Sequence, residues 1–110
     1  MSDAGGTAAR RTATFLFTDI VGSTERWEHD AVDMRVALDR HDRLLRASIE
    51  SCGGDVFKSV GDALHAVFPT ATAAVEAAVD GSRSLLAEDW SGEPIEVRMA
   101  VYRPAIDTND

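Results

Sequence analysis

Two short apolar segments separated by a glycine-aspartate turn constrain the fold of this chain most strongly. The segments span Asp55–Val60 and Ala63–Phe68, with Gly61-Asp62 between them. Short apolar segments on either side of two turn residues are typical of a β-hairpin. Wherever the rest of the chain lies, this hairpin therefore supplies two neighbouring antiparallel strands to one sheet.

A helical segment flanks the hairpin on each side, and a further strand lies beyond each helix. Helices are expected from Ala31 to Cys52 and from about Ala71 to Leu86, where apolar residues recur at steps of three and four. The outer strands are expected at Ala13–Asp19 and Ile95–Tyr102. The order β, α, β, β, α, β is that of the split βαβ arrangement. We therefore predict an α+β, ferredoxin-like βαββαβ sandwich, in which the first strand and a neighbouring strand of the hairpin lie side by side at the centre of the sheet.

The second long helix is expected to pack on the sheet through its small residues. The face predicted to be buried consists of Ala71, Ala74, Val75, Ala78, Ser82 and Leu85.

Composition limits what such a domain can do. With 110 residues and a hydrophobic fraction of 45%, the chain is long enough for one globular domain. A net charge of −8, without a clear Lys/Arg cluster, argues against a nucleic-acid partner. The single cysteine, Cys52, excludes an internal disulfide and favours a reducing compartment. With no apolar segment of membrane-spanning length and no signal-peptide core, we expect a cytoplasmic protein.

The ends of the chain differ in composition from its middle. We expect residues 1–11 to be a flexible leader, residues 12–102 to form the domain and residues 103–110 to form a tail.

The first strand ends in an aspartate at the point where a helix is expected to start. Asp19 is followed by Gly22 and by two hydroxyl residues, Ser23 and Thr24, either of which can begin a helix. Such a junction can hold a cation on the carboxylate and an anion on exposed backbone N–H groups. A metal-bound phosphate supplies both charges, although an ordinary turn aspartate explains Asp19 equally well when it is considered alone.

The predicted topology brings this aspartate close to the hairpin turn. Asp19 and Asp62 would then meet at one edge of the sheet, and two carboxylates with substrate phosphates are a common ligand set for Mg²⁺. The turn Val21–Thr24 would offer N–H groups to a triphosphate. Lys58 could contact a base or a phosphate, although a solvent-facing strand lysine is the simpler explanation of this residue by itself.

Two motifs in this order resemble those of class III nucleotidyl cyclase catalytic domains, the adenylyl and guanylyl cyclases. The first is Phe17–Thr24, with the sequence FTDIVGST. The second is a glycine pair followed by Phe57–Asp62, with the sequence FKSVGD, and then by Ala66–Phe68. The segment His41–Leu45 is similar to bacterial members of the family. The resemblance covers about residues 12–101.

This resemblance implies a reaction, a metal requirement and a set of site residues. The family converts ATP or GTP to a 3′,5′-cyclic nucleotide and pyrophosphate, using two Mg²⁺ or Mn²⁺ ions, and so serves cyclic-nucleotide signalling. The implied assignments are Asp19 and Asp62 as catalytic metal ligands, the Ile20 carbonyl as a further ligand, Val21, Gly22, Ser23 and Thr24 as the triphosphate-binding turn, and Lys58 as the purine-recognition residue. Because the family's sites take aspartates from one chain and the lysine from another, a homodimer or a heterodimer with another cyclase domain is also implied.

The sequence departs from the family after its last strand. The family continues with a His-Thr-Gly-like turn, a second purine-selecting residue, an asparagine and an arginine. Here the strand continues into Tyr102-Arg103-Pro104, and the only asparagine, Asn109, lies outside any matching motif. We therefore expect a C-terminally truncated cyclase domain that binds metal and triphosphate with weak or no turnover as a homodimer. The alternative is a non-catalytic, cyclase-like nucleotide-binding or dimerisation module.

Overall fold

The elements of the protein follow the predicted order, with the first helical connection divided into two helices. A computed structural model describes residues 13–104. Its elements are β1 (Thr14–Ile20), α1 (Ser23–His29), α2 (Ala31–Ser51), β2 (Asp55–Val60), β3 (Ala63–Phe68), α3 (Ala71–Ala87) and β4 (Val97–Tyr102). The leader expected at residues 1–11 and most of the expected tail lie outside the described residues, so the domain boundaries stay predictions.

The four strands form one sheet in the order β2-β3-β1-β4, and all neighbours are antiparallel. β1 lies between β3 and β4, with Thr18 opposite Leu64 on one side and Met99 on the other. This order confirms the predicted ferredoxin-like arrangement. Continuing the register of β1 and β3 by two residues places the end of β1 beside the Gly61-Asp62 turn.

One face of the sheet is covered by the helices. Alternate residues of β1 are buried on this face, and Leu16 packs in a cluster with Ile49 of α2 and Ala74 of α3. The other face carries Phe15, Phe17 and Asp19 and is partly exposed; we call it the open face. The helices thus leave the open face as the accessible surface of the sheet.

Local sequence signals explain where α2 begins and ends. The Asp30 side chain caps the helix by accepting a hydrogen bond from the Asp33 N–H at 3.1 Å. After the helix, Gly53 has a φ of 82°, the left-handed conformation that ends helices at glycine. Gly54 then passes against the Phe68 ring, where a Cβ atom would lie 2.3 Å from Cε2. The glycine pair therefore performs two different tasks, a helix stop and a close approach.

The predicted start of the last strand was wrong by two residues. β4 begins at Val97, which pairs with Ile20, the last residue of β1. Ile95 lies before this ladder but is only 6% exposed, because it packs with Ile20 and Met34. Its apolar character therefore reflects burial in the core without strand pairing.

The predicted buried face of α3 was also wrong in part. The buried residues are Ala74, Ala77, Gly81 and Leu85, whereas Val75 is 49% exposed. The small residues let α3 lie close to α2: a Cβ atom at Gly81 would be 2.8 Å from Leu45 Cδ2. Three small residues, Ala74, Ala77 and Gly81, together with Leu85 therefore form the buried face of this helix.

Within residues 13–104, no helix combines the length and apolar character needed to cross a membrane.

Candidate functional site

Asp19 lies on the open face near the end of β1 and is paired with an arginine. Its register partner on β4 is Arg98. The Arg98 Nε donates a hydrogen bond to Asp19 Oδ1 at 3.1 Å, in an ion pair whose side chains are 48% (Asp19) and 71% (Arg98) exposed. The second carboxylate oxygen, Oδ2, has no contact of this kind with the described residues. One oxygen of Asp19 is therefore engaged by Arg98 and the other remains available to a ligand.

Asp62 occupies the hairpin turn, opposite the end of β1. Gly61 before it has a φ of 58°, a left-handed conformation that suits a glycine turn. The Asp62 Oδ2 atom is buried and has no hydrogen-bond partner among the described residues. A buried carboxylate oxygen without a partner is costly. A cation bound at this point would satisfy that oxygen.

The donors at this edge fit a hard divalent metal that shares its ligands with a substrate. Nowhere in residues 13–104 do three or more His, Cys, Asp or Glu side chains come together as a metal cluster. Mg²⁺, however, is usually held by only one or two carboxylates together with water and substrate phosphates. Asp19, Asp62 and the carbonyl of Ile20, the last residue of β1, match this reduced set.

The predicted triphosphate turn contains unused backbone donors, but fewer than expected. The helix starts after Gly22, which has a φ of 69°. The first intrahelical bond is donated by the Arg26 N–H to the Gly22 carbonyl at 3.1 Å, so Ser23 and Thr24 have no intrahelical acceptors. These hydroxyl residues are the first two helical residues and not caps. The Val21 N–H donates to the Glu96 carbonyl at 2.8 Å and is thereby engaged.

The charge beside this turn is strongly negative. A cavity of about 530 Å³ opens next to Val21 and Gly22. Its carboxylates belong to Glu25, Asp30, Asp33, Glu93 and Glu96. The guanidinium of Arg26 donates to the carbonyls of Pro94 at 3.0 Å and Glu93 at 2.8 Å, so it is already engaged. A bare triphosphate would be repelled here, and a metal-bound one would carry less negative charge.

A β-bulge determines where Lys58 lies. Val56 pairs with Ala66 and Lys58 pairs with His65, so Phe57 is the extra residue between the two pairs. His65 in turn pairs with Phe17, which places Lys58 on the open face with Asp19. With regular alternation, Lys58 would share the helix-covered face with Val56, which packs against the core. The bulge is therefore what makes Lys58 available to a ligand on the open face.

Lys58 nevertheless lies two strands away from Asp19 in the same chain. Strand spacing and the register together put their Cα atoms about 12 Å apart. The structure thus brings Asp19 and Asp62 to one edge, and it leaves Lys58 on the same face but at a distance.

An aromatic layer covers the open face between these residues. The Phe17 ring lies edge-on to His65 with centroids 4.9 Å apart, and Phe57 contacts Phe15 at 5.9 Å and His65 at 6.2 Å. Sequence reasoning missed His65, because nothing in the sequence distinguishes it from other strand residues. The pairing of Arg98 with Asp19 was missed too, since it depends on the register of β1 and β4.

Comparison with known proteins places this arrangement in context. No family model matches the chain. Over 80 residues, 73% of this chain, it is 38% identical to an adenylate cyclase of Neurospora crassa, of which it spans 4%. In fold it matches an adenylate cyclase from Trypanosoma brucei in its monomeric state, with a TM-score of 0.78 and 22% identity. That match covers 81% of this chain and 55% of the other.

The chain is a relative of the class III nucleotidyl cyclases. The fold of the chain also matches the guanylate cyclase domain of RhGC from Catenaria anguillulae, solved in complex with GTP, with a TM-score of 0.74 and 23% identity. That match covers 81% of this chain and 54% of the other. The chain thus has the fold of a cyclase catalytic domain, and it spans about half the length of the solved domains.

Proposed function

We propose that this chain supplies the metal-binding and triphosphate-binding half of a nucleotidyl cyclase site. The complete site converts ATP or GTP to a 3′,5′-cyclic nucleotide and pyrophosphate. The observation that carries this proposal is the Asp62 carboxylate. Its Oδ2 atom is buried without a partner in the described part of the chain, at the edge where β1 ends after Asp19. An unsatisfied buried carboxylate is a poor structural element but a good cation ligand.

The residues at this edge have different roles in the proposed reaction: some bind the metal and others bind the phosphates. Asp19, Asp62 and the Ile20 carbonyl would hold Mg²⁺ or Mn²⁺, and the N–H groups of Ser23 and Thr24 would donate to phosphate oxygens. A bound metal pair supplies two effects: a lower pKa of the ribose 3′-hydroxyl and neutralisation of charge on the phosphates. The 3′-hydroxyl would lose its proton to solvent, its oxygen would attack the α-phosphorus, the bond from that phosphorus to the oxygen bridging to the β-phosphate would break, and pyrophosphate would leave.

We place the purine on a second chain. The two-chain arrangement follows from the resemblance to the cyclases, whose sites take the aspartates from one chain and the lysine from the other, and the separation of about 12 Å between the Cα atoms of Lys58 and Asp19 is of the length of one extended nucleotide. In a dimer, Lys58 of one protomer recognises the purine whose phosphates lie at Asp19 and Asp62 of the other. The exposed Lys58 side chain and the partly exposed open face support this arrangement. The reaction belongs in the cytoplasm, as the single cysteine and the nucleotide substrate favour.

Calorimetry with purified chain, Mn²⁺ and ATP or GTP tests the binding half of the proposal. We expect binding by the wild type, its loss in Asp62→Asn, and wild-type binding in Asp89→Asn, an exposed loop aspartate that undergoes the same change of charge. Absence of nucleotide binding by the wild type in Mn²⁺ would refute the proposal.

Product analysis then separates an enzyme from a binding module. Cyclic nucleotide formed by the chain, alone or mixed with a second cyclase domain, identifies an active half-site. Binding without product under both conditions identifies a non-catalytic nucleotide-binding or dimerisation module.

A further inference from the structure

The Arg98 guanidinium is held next to a proposed metal ligand by the sheet itself. Asp19 and Arg98 are direct register partners on β1 and β4. Side chains of directly opposed residues in an antiparallel pair start only about 4.5–5.5 Å apart at their Cβ atoms. The backbone register therefore brings the two side chains within reach of the 3.1 Å contact between Nε and Oδ1.

This arrangement sets two cations against each other. A divalent ion on the Asp19 carboxylate would lie within a few ångströms of the guanidinium, and two positive charges at that distance repel. The Arg98 side chain is 71% exposed, so it can move away into solvent without breaking packing contacts. A metal on the free oxygen, Oδ2, would thus weaken the contact between Arg98 and Oδ1, so the metal and the arginine compete for the charge of the same carboxylate.

We propose that Arg98 is a built-in competitor for the metal at Asp19: it neutralises the carboxylate in the metal-free chain and leaves it when a divalent cation binds. The proposal rests on the proposed metal site. Arg98 is then a positioning residue that acts through Asp19. Its consequence is a weakened affinity for the metal, which disfavours loading of the site by free ions.

The test is Mn²⁺ titration followed by the electron paramagnetic resonance signal of the free ion. The variant is Arg98→Met, which keeps much of the aliphatic stem and removes the charge. Arg103→Met is the matched control, because it removes the same charge from an exposed arginine about 17 Å further along the strand direction. Each titration is repeated on the same protein carrying Asp62→Asn as well. The Mn²⁺ that this protein still binds is bound elsewhere on the acidic chain and is subtracted.

We expect Arg98→Met to raise the Mn²⁺ affinity about 1.4- to 5-fold, the range associated with exposed ion pairs. The gain should be largest near 0.01 M ionic strength, where the Debye length is about 30 Å, and should shrink near 1 M, where it is about 3 Å. Arg98→Lys, which keeps the cation but not the Nε donor, should lie between the wild type and Arg98→Met. Thermal melting followed by circular dichroism checks that each variant is folded.

The outcomes separate this proposal from the one on which it rests. An unchanged or weaker affinity in Arg98→Met, with wild-type binding intact, overturns the competition alone. Binding by Arg98→Met but not by the wild type supports it in its strongest form. If neither protein binds Mn²⁺, both the metal site and the competition are wrong.

Discussion

The buried oxygen of Asp62 leads to a prediction in which stability and metal binding change in opposite directions. Replacing Asp62 with alanine removes a carboxylate oxygen that is buried and unpartnered within residues 13–104. Leaving such a group unsatisfied costs about 1–3 kcal/mol, and part of the gain on removing it is offset by the lost preference of aspartate for turns. We therefore expect the metal-free Asp62→Ala variant to be about 1 kcal/mol more stable than the wild type.

The same substitution should abolish stabilisation by metal. A ligand at 100 times its dissociation constant stabilises the folded state by about 2.7 kcal/mol. For a domain of this size, 1 kcal/mol corresponds to a shift in Tm of about 4–8 °C. Saturating Mn²⁺ should therefore raise the Tm of the wild type well above that of Asp62→Ala, although the variant melts higher without metal.

Thermal unfolding with and without Mn²⁺, followed by circular dichroism, measures both effects in one experiment. Asp89→Ala, at an exposed loop position, controls for the loss of one negative charge. A metal-free Asp62→Ala protein that melts at or below the wild-type temperature would show that the unpartnered buried oxygen does not destabilise the folded wild type. Equal stabilisation of both proteins by Mn²⁺ would place the metal elsewhere.

Substitutions at three further positions test the fold and the site. Gly54→Ala should destabilise the protein by about 1–3 kcal/mol in urea unfolding, because the new Cβ meets the Phe68 ring at 2.3 Å; a neutral result would mean that β2 and the ring can separate freely. Asp30→Ala should cost about 0.5–2 kcal/mol in the same assay through the lost cap of α2, whereas Asp30→Asn should retain most of the stability. Lys58→Met should leave Mn²⁺ binding unchanged and weaken the affinity for ATP or GTP in calorimetry, and equal nucleotide affinity would remove Lys58 from the purine site.

The sequence by itself determined the order and type of the elements. Apolar periodicity, the Gly53-Gly54 stop and the Gly61-Asp62 turn are local signals, because each acts through the conformations of a few neighbouring residues. The ferredoxin-like arrangement followed from that element order, and each of the two cyclase motifs was readable as a contiguous segment. For the same reason, Asp19 and Asp62 could be paired in advance: the topology alone brings the end of β1 to the hairpin.

The tertiary structure decided what these elements present to one another. The bulge at Phe57 moved Lys58 to the face of Asp19, and the register of β1 and β4 set Arg98 on the Asp19 carboxylate. Helix α3 approaches α2 closely at Gly81, and Val75 lies on its exposed side. These outcomes depend on spacing between distant parts of the chain. Alternation along a strand cannot report an inserted residue, and hydrophobicity along a helix cannot report how closely a neighbouring helix approaches.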